Sequence, residues 1–172
     1  PGLPVWASDN TVPTVYSWYA GIQHQLPKGF TLDVSYSGNH TVHLMDQRLV
    51  NGLPAGTFVT NPGLSASVNY KNDALRPYYG WGSLNAIETL AYSRYNAMMF
   101  RVSRRFANSL SANFNYTWSK AMDLLDNDSD TIINPYNMRQ NWAAAGYDQP
   151  NVVTLDFVYE LPKVRGSLAN GF

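Results

Sequence analysis

The 172-residue sequence predicts an all-β fold, an antiparallel meander of long amphipathic strands. Three observations predict it. Aromatic and charged residues are equally common at 14% each, whereas about a quarter of an average soluble chain is charged. Asn occurs 17 times, alongside much Ser, Thr and Tyr, a composition that suits strands and turns better than helices. Finally, five segments alternate apolar and polar residues with the period of a strand, not the roughly 3.6-residue period of a helix.

The first strand, about 14–26, sets Tyr16, Trp18, Ala20, Ile22, His24 and Leu26 against Ser17, Tyr19, Gly21, Gln23 and Gln25. The second, about 30–38, sets Phe30, Leu32, Val34, Tyr36 and Gly38 against Thr31, Asp33, Ser35 and Ser37. The third, about 94–106, sets Met98, Phe100, Val102, Arg104 and Phe106 against Met99, Arg101, Ser103 and Arg105. The fourth, about 110–119, sets Leu110, Ala112, Phe114, Tyr116 and Trp118 against Ser111, Asn113, Asn115 and Thr117. The fifth, about 152–161, sets Val153, Leu155, Phe157, Tyr159 and Leu161 against Thr154, Asp156, Val158 and Glu160. The apolar parity holds 26 positions, of which 11 are aromatic and only Arg104 is charged.

Two architectures carry such alternation. A sandwich buries the apolar face against a second sheet. A membrane barrel turns it to lipid and keeps the polar face for its lumen. Strand length favours the barrel, because these segments approach the roughly 9–11 residues of a tilted membrane strand, not the 5–6 of a soluble one. Aromatic placement agrees: Tyr16, Trp18, Tyr36, Tyr116 and Trp118 lie toward one strand end, and Phe30, Phe106 and Tyr159 toward the other. Two such bands match interfacial girdles. The connections alternate in length. Pro27-Lys28-Gly29, Ala107-Asn108-Ser109 and the segment from Leu161 to Gly166 are tight turns, whereas about 39–93 and 119–151 are long loops. Within the first loop, Ser83 to Tyr92 reads as a strand extending beyond the membrane. Short periplasmic turns opposite long extracellular loops are the asymmetry of a bacterial outer-membrane barrel, with membrane lipid as a partner.

Other classes are excluded. No run approaches the roughly 18 apolar residues of a membrane helix. Net charge is zero without a basic cluster, so no nucleic-acid partner is expected. Cys is absent, which removes disulfides and thiol chemistry. No catalytic constellation is read, so no enzyme and no cofactor are expected. The chain begins at Pro1 without Met, as a processed chain or an excised piece would.

The site expectations are modest. Asp33, Arg101, Arg105, Asp156 and Glu160 fall on the lumen parity, where hydration and interior salt bridges are their simplest role. Tyr78, Trp81, Tyr136 and Trp142 stand in the long loops, where rings could stack on a ligand or pack the loops on one another. Asp126, Asp128 and Asp130 copy the first half of a calcium loop. Thr131 and Asn137 stand where that loop needs Gly and Glu, so no EF-hand is expected and a looser calcium site is the alternative. His40 and His43, three apart, read as polar rim residues and not as metal ligands, and His24 as an imidazole within reach of water at the periplasmic end.

Several blocks also resemble a known family. Tyr95-Asn96-Ala97-Met98, Arg104 through Leu110, Asn115-Tyr116-Thr117-Trp118-Ser119-Lys120-Ala121-Met122-Asp123 and Asp148 through Arg165-Gly166 look like the C-terminal barrel of TonB-dependent outer-membrane receptors. So do Trp18 through Pro27 and Arg76-Pro77-Tyr78 with Gly80-Trp81-Gly82-Ser83. The blocks follow the order of the subgroup with an N-terminal carboxypeptidase-regulatory-like domain. The resemblance implies a barrel of about 22 strands around a plug, importing scarce nutrients with energy from an inner-membrane complex. Five strands would be about a quarter of such a receptor, without its plug. Two bare sheet edges are costly in lipid and aggregation-prone in water. The expected partners are therefore the remainder of the barrel and its plug, or further copies along the strand edges. The alternative to a receptor segment is thus a self-assembling extracellular β-tube or fibre, since edge pairing that fails to close makes filaments.

Overall fold

The computed structural model describes residues 3–63, 73–107, 109–127, 130 and 132–161. The strands are β1 Leu3–Trp6, β2 Thr14–Leu26, β3 Phe30–Leu49, β4 Leu84–Ala107, β5 Leu110–Asp123, β6 Ala143–Ala144 and β7 Asn151–Tyr159. A short helical turn, α1, covers Thr57–Thr60, and 3-10 turns cover Pro27–Gly29 and Met138–Asn141. β2, β3, β4 and β5 are neighbours in chain order, and β7 pairs antiparallel with β5, so the sheet is the expected meander. β6 also pairs with β5, at Met122 and Asp123. β1 runs parallel to β4 at Leu84–Ile87. The chain forms two compact units, and the long strands contribute to both.

The hairpin unit comprises Trp18–Ser37, Asn96–Ser119 and Gln149–Phe172. The alternation of the sequence governs its register. Leu110 faces Tyr159, Ala112 faces Phe157, Phe114 faces Leu155 and Tyr116 faces Val153. Residues directly opposite share a face, so apolar meets apolar from Leu110 to Tyr116, and only at the end does Trp118 face Asn151. Asn113 meets Asp156 and Asn115 meets Thr154 on the other face. Phe100 and Tyr116 stack with centroids 6.3 Å apart. Tyr36 and Tyr116 donate their hydroxyls to Asn96 and Asn151 at 2.7 and 2.8 Å. Arg104, the one charge on the apolar parity, lies 5.3 Å from the centre of the Phe30 ring, a cation–π contact. Tyr19, which breaks the parity of β2, lies over Gly21: a Cβ there would come 2.7 Å from the Tyr19 hydroxyl. Among the described residues, nothing covers the apolar face. Trp118 is 50% exposed, Leu155 64% and Phe157 67%, and among the unit's described residues the only buried apolar one is Ala97. A sandwich would bury these side chains.

The loop-bearing unit comprises Pro1–Ser17, Gly38–Tyr95 and Lys120–Asp148. Here there is a core: Leu84, Ala86, Ala91, Ala121, Leu124, Ile132 and Ala145 are buried. The strands extend further than the alternation predicts. β3 continues past residue 38 to Leu49, and β4 begins at Leu84, ten residues before the expected 94. The expected strand over 83–92 is therefore not separate but the first part of β4. The loop expected over 39–93 shrinks to 50–83, and β6 interrupts the one expected over 119–151. The physical reason is a slip in the pleat. His43, inside β3, has φ 60°, in the left-handed region. On β4 the buried positions shift from Leu84 and Ala86 to Ala91. Alternation fails across such slips although pairing continues. β7 ends at Tyr159, before the expected 161, and the tight turn expected from 161 to 166 falls almost entirely outside the described residues.

Candidate functional site

The most organised part of the loop-bearing unit is built on Asn51, which is fully buried. The two N–H donors of its amide bond the Gly82 carbonyl at 2.7 Å and are shared with the carbonyls of Tyr78 and Trp81, each at 3.2 Å. Its side-chain oxygen accepts the Tyr78 N–H at 2.7 Å. Arg76, paired with Asp73 at 2.8 Å, donates to the Asn51 backbone carbonyl. One residue thus fastens the loop 76–82, and Gly80 supplies its positive φ of 82°. The loop turns its rings outward: Tyr78, Tyr79 and Trp81 are exposed. The Tyr136 hydroxyl approaches Gly52, 3.7 Å from where a Cβ would stand, and its ring is exposed too.

Three of the four aromatic candidates therefore gather about the turn at residues 51–52. The fourth does not. Trp142 stacks on Tyr92 at 4.8 Å, and Tyr92 meets His40 edge-on at 6.4 Å. His40 also bonds the Ser93 carbonyl at 2.9 Å. Trp142 and His40 are packing residues. Asn51 was not legible as an organiser, because Asn51-Gly52 looks like any turn dipeptide.

A second polar group braces β3 against β4. Arg48 holds both oxygens of Glu88 at 2.8 and 2.7 Å, a bidentate pair. Asp46 is completely buried, and one oxygen accepts the Leu90 N–H at 2.8 Å. Burial, reinforced by the nearby Glu88 charge, pushes its carboxyl above the usual range.

The carboxylates near residue 126 are partly described. Asp126 accepts the Gly146 N–H at 2.7 Å, an approach that a Cβ on residue 146 would block at 2.6 Å. Asp130 donates its own N–H to the Asn127 carbonyl at 3.2 Å. Asp128 lies outside the described residues. Among the described residues, no three acidic, His or Cys side chains form a group that could hold a metal. Burial, with repulsion from Asp126, raises the Asp123 carboxyl, and burial likewise raises the Tyr147 hydroxyl beside it.

The expected lumen charges are not paired with one another. Arg101 donates to Asn115 at 2.9 Å, and Asp156 accepts from Asn113 at 2.9 Å. Arg105 lines a polar hollow of about 290 Å³ with Gln23, Gln25 and Thr31. Asp33 is half-buried on β3, and Glu160 joins through its backbone, donating to the Ser109 carbonyl at 2.8 Å. Asn115 and Asn113 are thus the side-chain partners of Arg101 and Asp156.

A family model for an outer membrane beta barrel domain matches residues 1–172, the whole chain. The chain belongs to this outer-membrane β-barrel family. Its location is the bacterial outer membrane. No curated protein and no solved structure matches the chain.

Proposed function

We propose that the chain is a barrel segment of a TonB-dependent receptor that takes up nutrients, and that it performs no catalysis itself. One observation carries this reading. Arg76-Pro77-Tyr78 with Gly80-Trp81-Gly82-Ser83, a block that resembles those receptors, coincides with the loop that Asn51 fastens. A loop locked by four hydrogen bonds presents its rings at low entropic cost, which suits capture of a scarce ligand. Tyr78, Trp81 and Tyr136 are the proposed contact residues, and the remainder of the barrel with its plug the proposed partners. The polar lumen network around Arg101 and Asp156 would face that plug.

The test is accumulation of a panel of labelled nutrients by cells with and without the protein, each with and without a protonophore. The expected result is uptake of one nutrient class that requires both the protein and the energised inner membrane. Uptake that survives the protonophore undiminished would make this a passive pore, and no dependence on the protein would remove the transport reading.

A further inference from the structure

We propose that the loop-bearing unit holds a binding site for a primary ammonium group carried on an apolar moiety, seated against the carboxylates of Asp123 and Asp126. This inference does not depend on the transport reading; it holds for any barrel presenting this loop cluster. A hollow of about 320 Å³ has walls that include Leu44, Met45, Ala91 and Leu125, and Asp123 and Asp126 are its charged groups. A second hollow of about 270 Å³ shares both acids and adds Asp130.

Asp123 is only 7% exposed; the Tyr147 hydroxyl bonds its carboxylate, while its Oδ2 has no hydrogen-bond partner among the described residues. An orphaned buried carboxylate oxygen is costly and calls for a donor. Asp126 is already oriented by the Gly146 N–H. Neither hollow is lined by Lys or Arg. The ion pairs among the described residues, Arg48 with Glu88 and Arg76 with Asp73, use other acids. Among the described residues no cation pairs with this negative charge, and both burial and Asp126 hold the Asp123 carboxyl above its usual range.

The chemistry of the walls narrows the ligand. A divalent metal takes about six or more oxygen donors, and among the described residues no three His, Cys, Asp or Glu side chains form a group that could hold one. An alkylammonium needs fewer: its three N–H donors can reach Asp123, Asp126 and the Tyr147 hydroxyl, while its carbon chain lies against Leu44 and Met45. The neutral alcohol of the same length would gain the apolar contact but no charge-assisted bond.

Equilibrium dialysis of labelled n-hexylammonium against the full chain in outer-membrane vesicles tests this, with vesicles lacking the protein as background. The expected result is saturable binding of one amine per chain, not displaced by 1-hexanol. Asp123→Asn and Asp126→Asn should each weaken it about tenfold or more, the loss of roughly one charge-assisted hydrogen bond. Absence of saturable binding would overturn the proposal, as would equal displacement by 1-hexanol, or displacement by calcium at lower concentration than by unlabelled amine. Because those three outcomes are read on the unaltered protein, a variant that fails to fold leaves the proposal exposed to them. Undiminished binding to a folded Asp123→Asn chain would overturn it as well.

Discussion

The two units of this chain solve the problem of apolar surface in opposite ways. The loop-bearing unit hides it: seven of the eight buried hydrophobic residues among those described are there. The hairpin unit buries one alanine and displays Trp118, Leu155 and Phe157. Read in water, the second unit would be a failed fold. Read in lipid, it is complete on that face, because the bilayer supplies the apolar neighbours that a protein core would otherwise supply. Backbone pairing holds the hairpin unit together; side-chain burial and buried polar anchors hold the other.

The largest expected effect breaks this comparison at its lipid end. Leu155→Arg places a charge on the exposed apolar face, which should cost about 2–4 kcal/mol if that face lies in hydrocarbon. Thr154→Arg, on the opposite parity, should cost well under about 1 kcal/mol. Urea titration of the protein refolded in liposomes measures both. Equal costs would deny that the two faces see different solvents.

Next comes the anchor of the other unit. Asn51→Ala strips the Tyr78 N–H and three carbonyls of their partner and should cost roughly 2 kcal/mol or more. The effect should be local. Proteolysis within 76–82 should rise while the hairpin unit remains protected. Glu88→Gln is smaller, about 1 kcal/mol, because the Arg48 side chain is 31% exposed and solvent screens the pair.

The hairpin unit was legible because two solvents impose a binary code on its strands. The alternation of Leu110 to Trp118 and Val153 to Tyr159 matches the faces on which the ladder places them. The loop-bearing unit was legible only in part. There the pleat slips at His43, and acids such as Asp46 replace apolar residues at buried positions, so alternation no longer reports pairing. Asn51 gave no signal at all, since its importance comes from partners some 27 to 31 residues away. The place of Tyr19 on the polar parity has its reason in the bare Gly21 beneath it, which is visible only in three dimensions.

The smallest effect is a pH dependence confined to the loop-bearing unit. Asp46 has its folded-state pKa raised above the ordinary 3.8, so its charged form opposes folding. That penalty is present at neutral pH. It is relieved as pH falls through the raised value and is gone below the ordinary one. Hydrogen exchange at the Leu90 amide should therefore slow, after correction for intrinsic rates, on mild acidification, and Asp46→Asn should flatten the trend.

The central claim is that the uncovered apolar face of the hairpin unit contacts lipid while the aromatic loop on Asn51 does not. Brominated lipids test it directly through tryptophan fluorescence in proteoliposomes. Single-tryptophan chains retaining Trp118 or Trp81, with the others replaced by Phe, separate the two surfaces. The account predicts strong quenching of Trp118 and little of Trp81. Equal quenching of the two, or an unquenched Trp118, would contradict it.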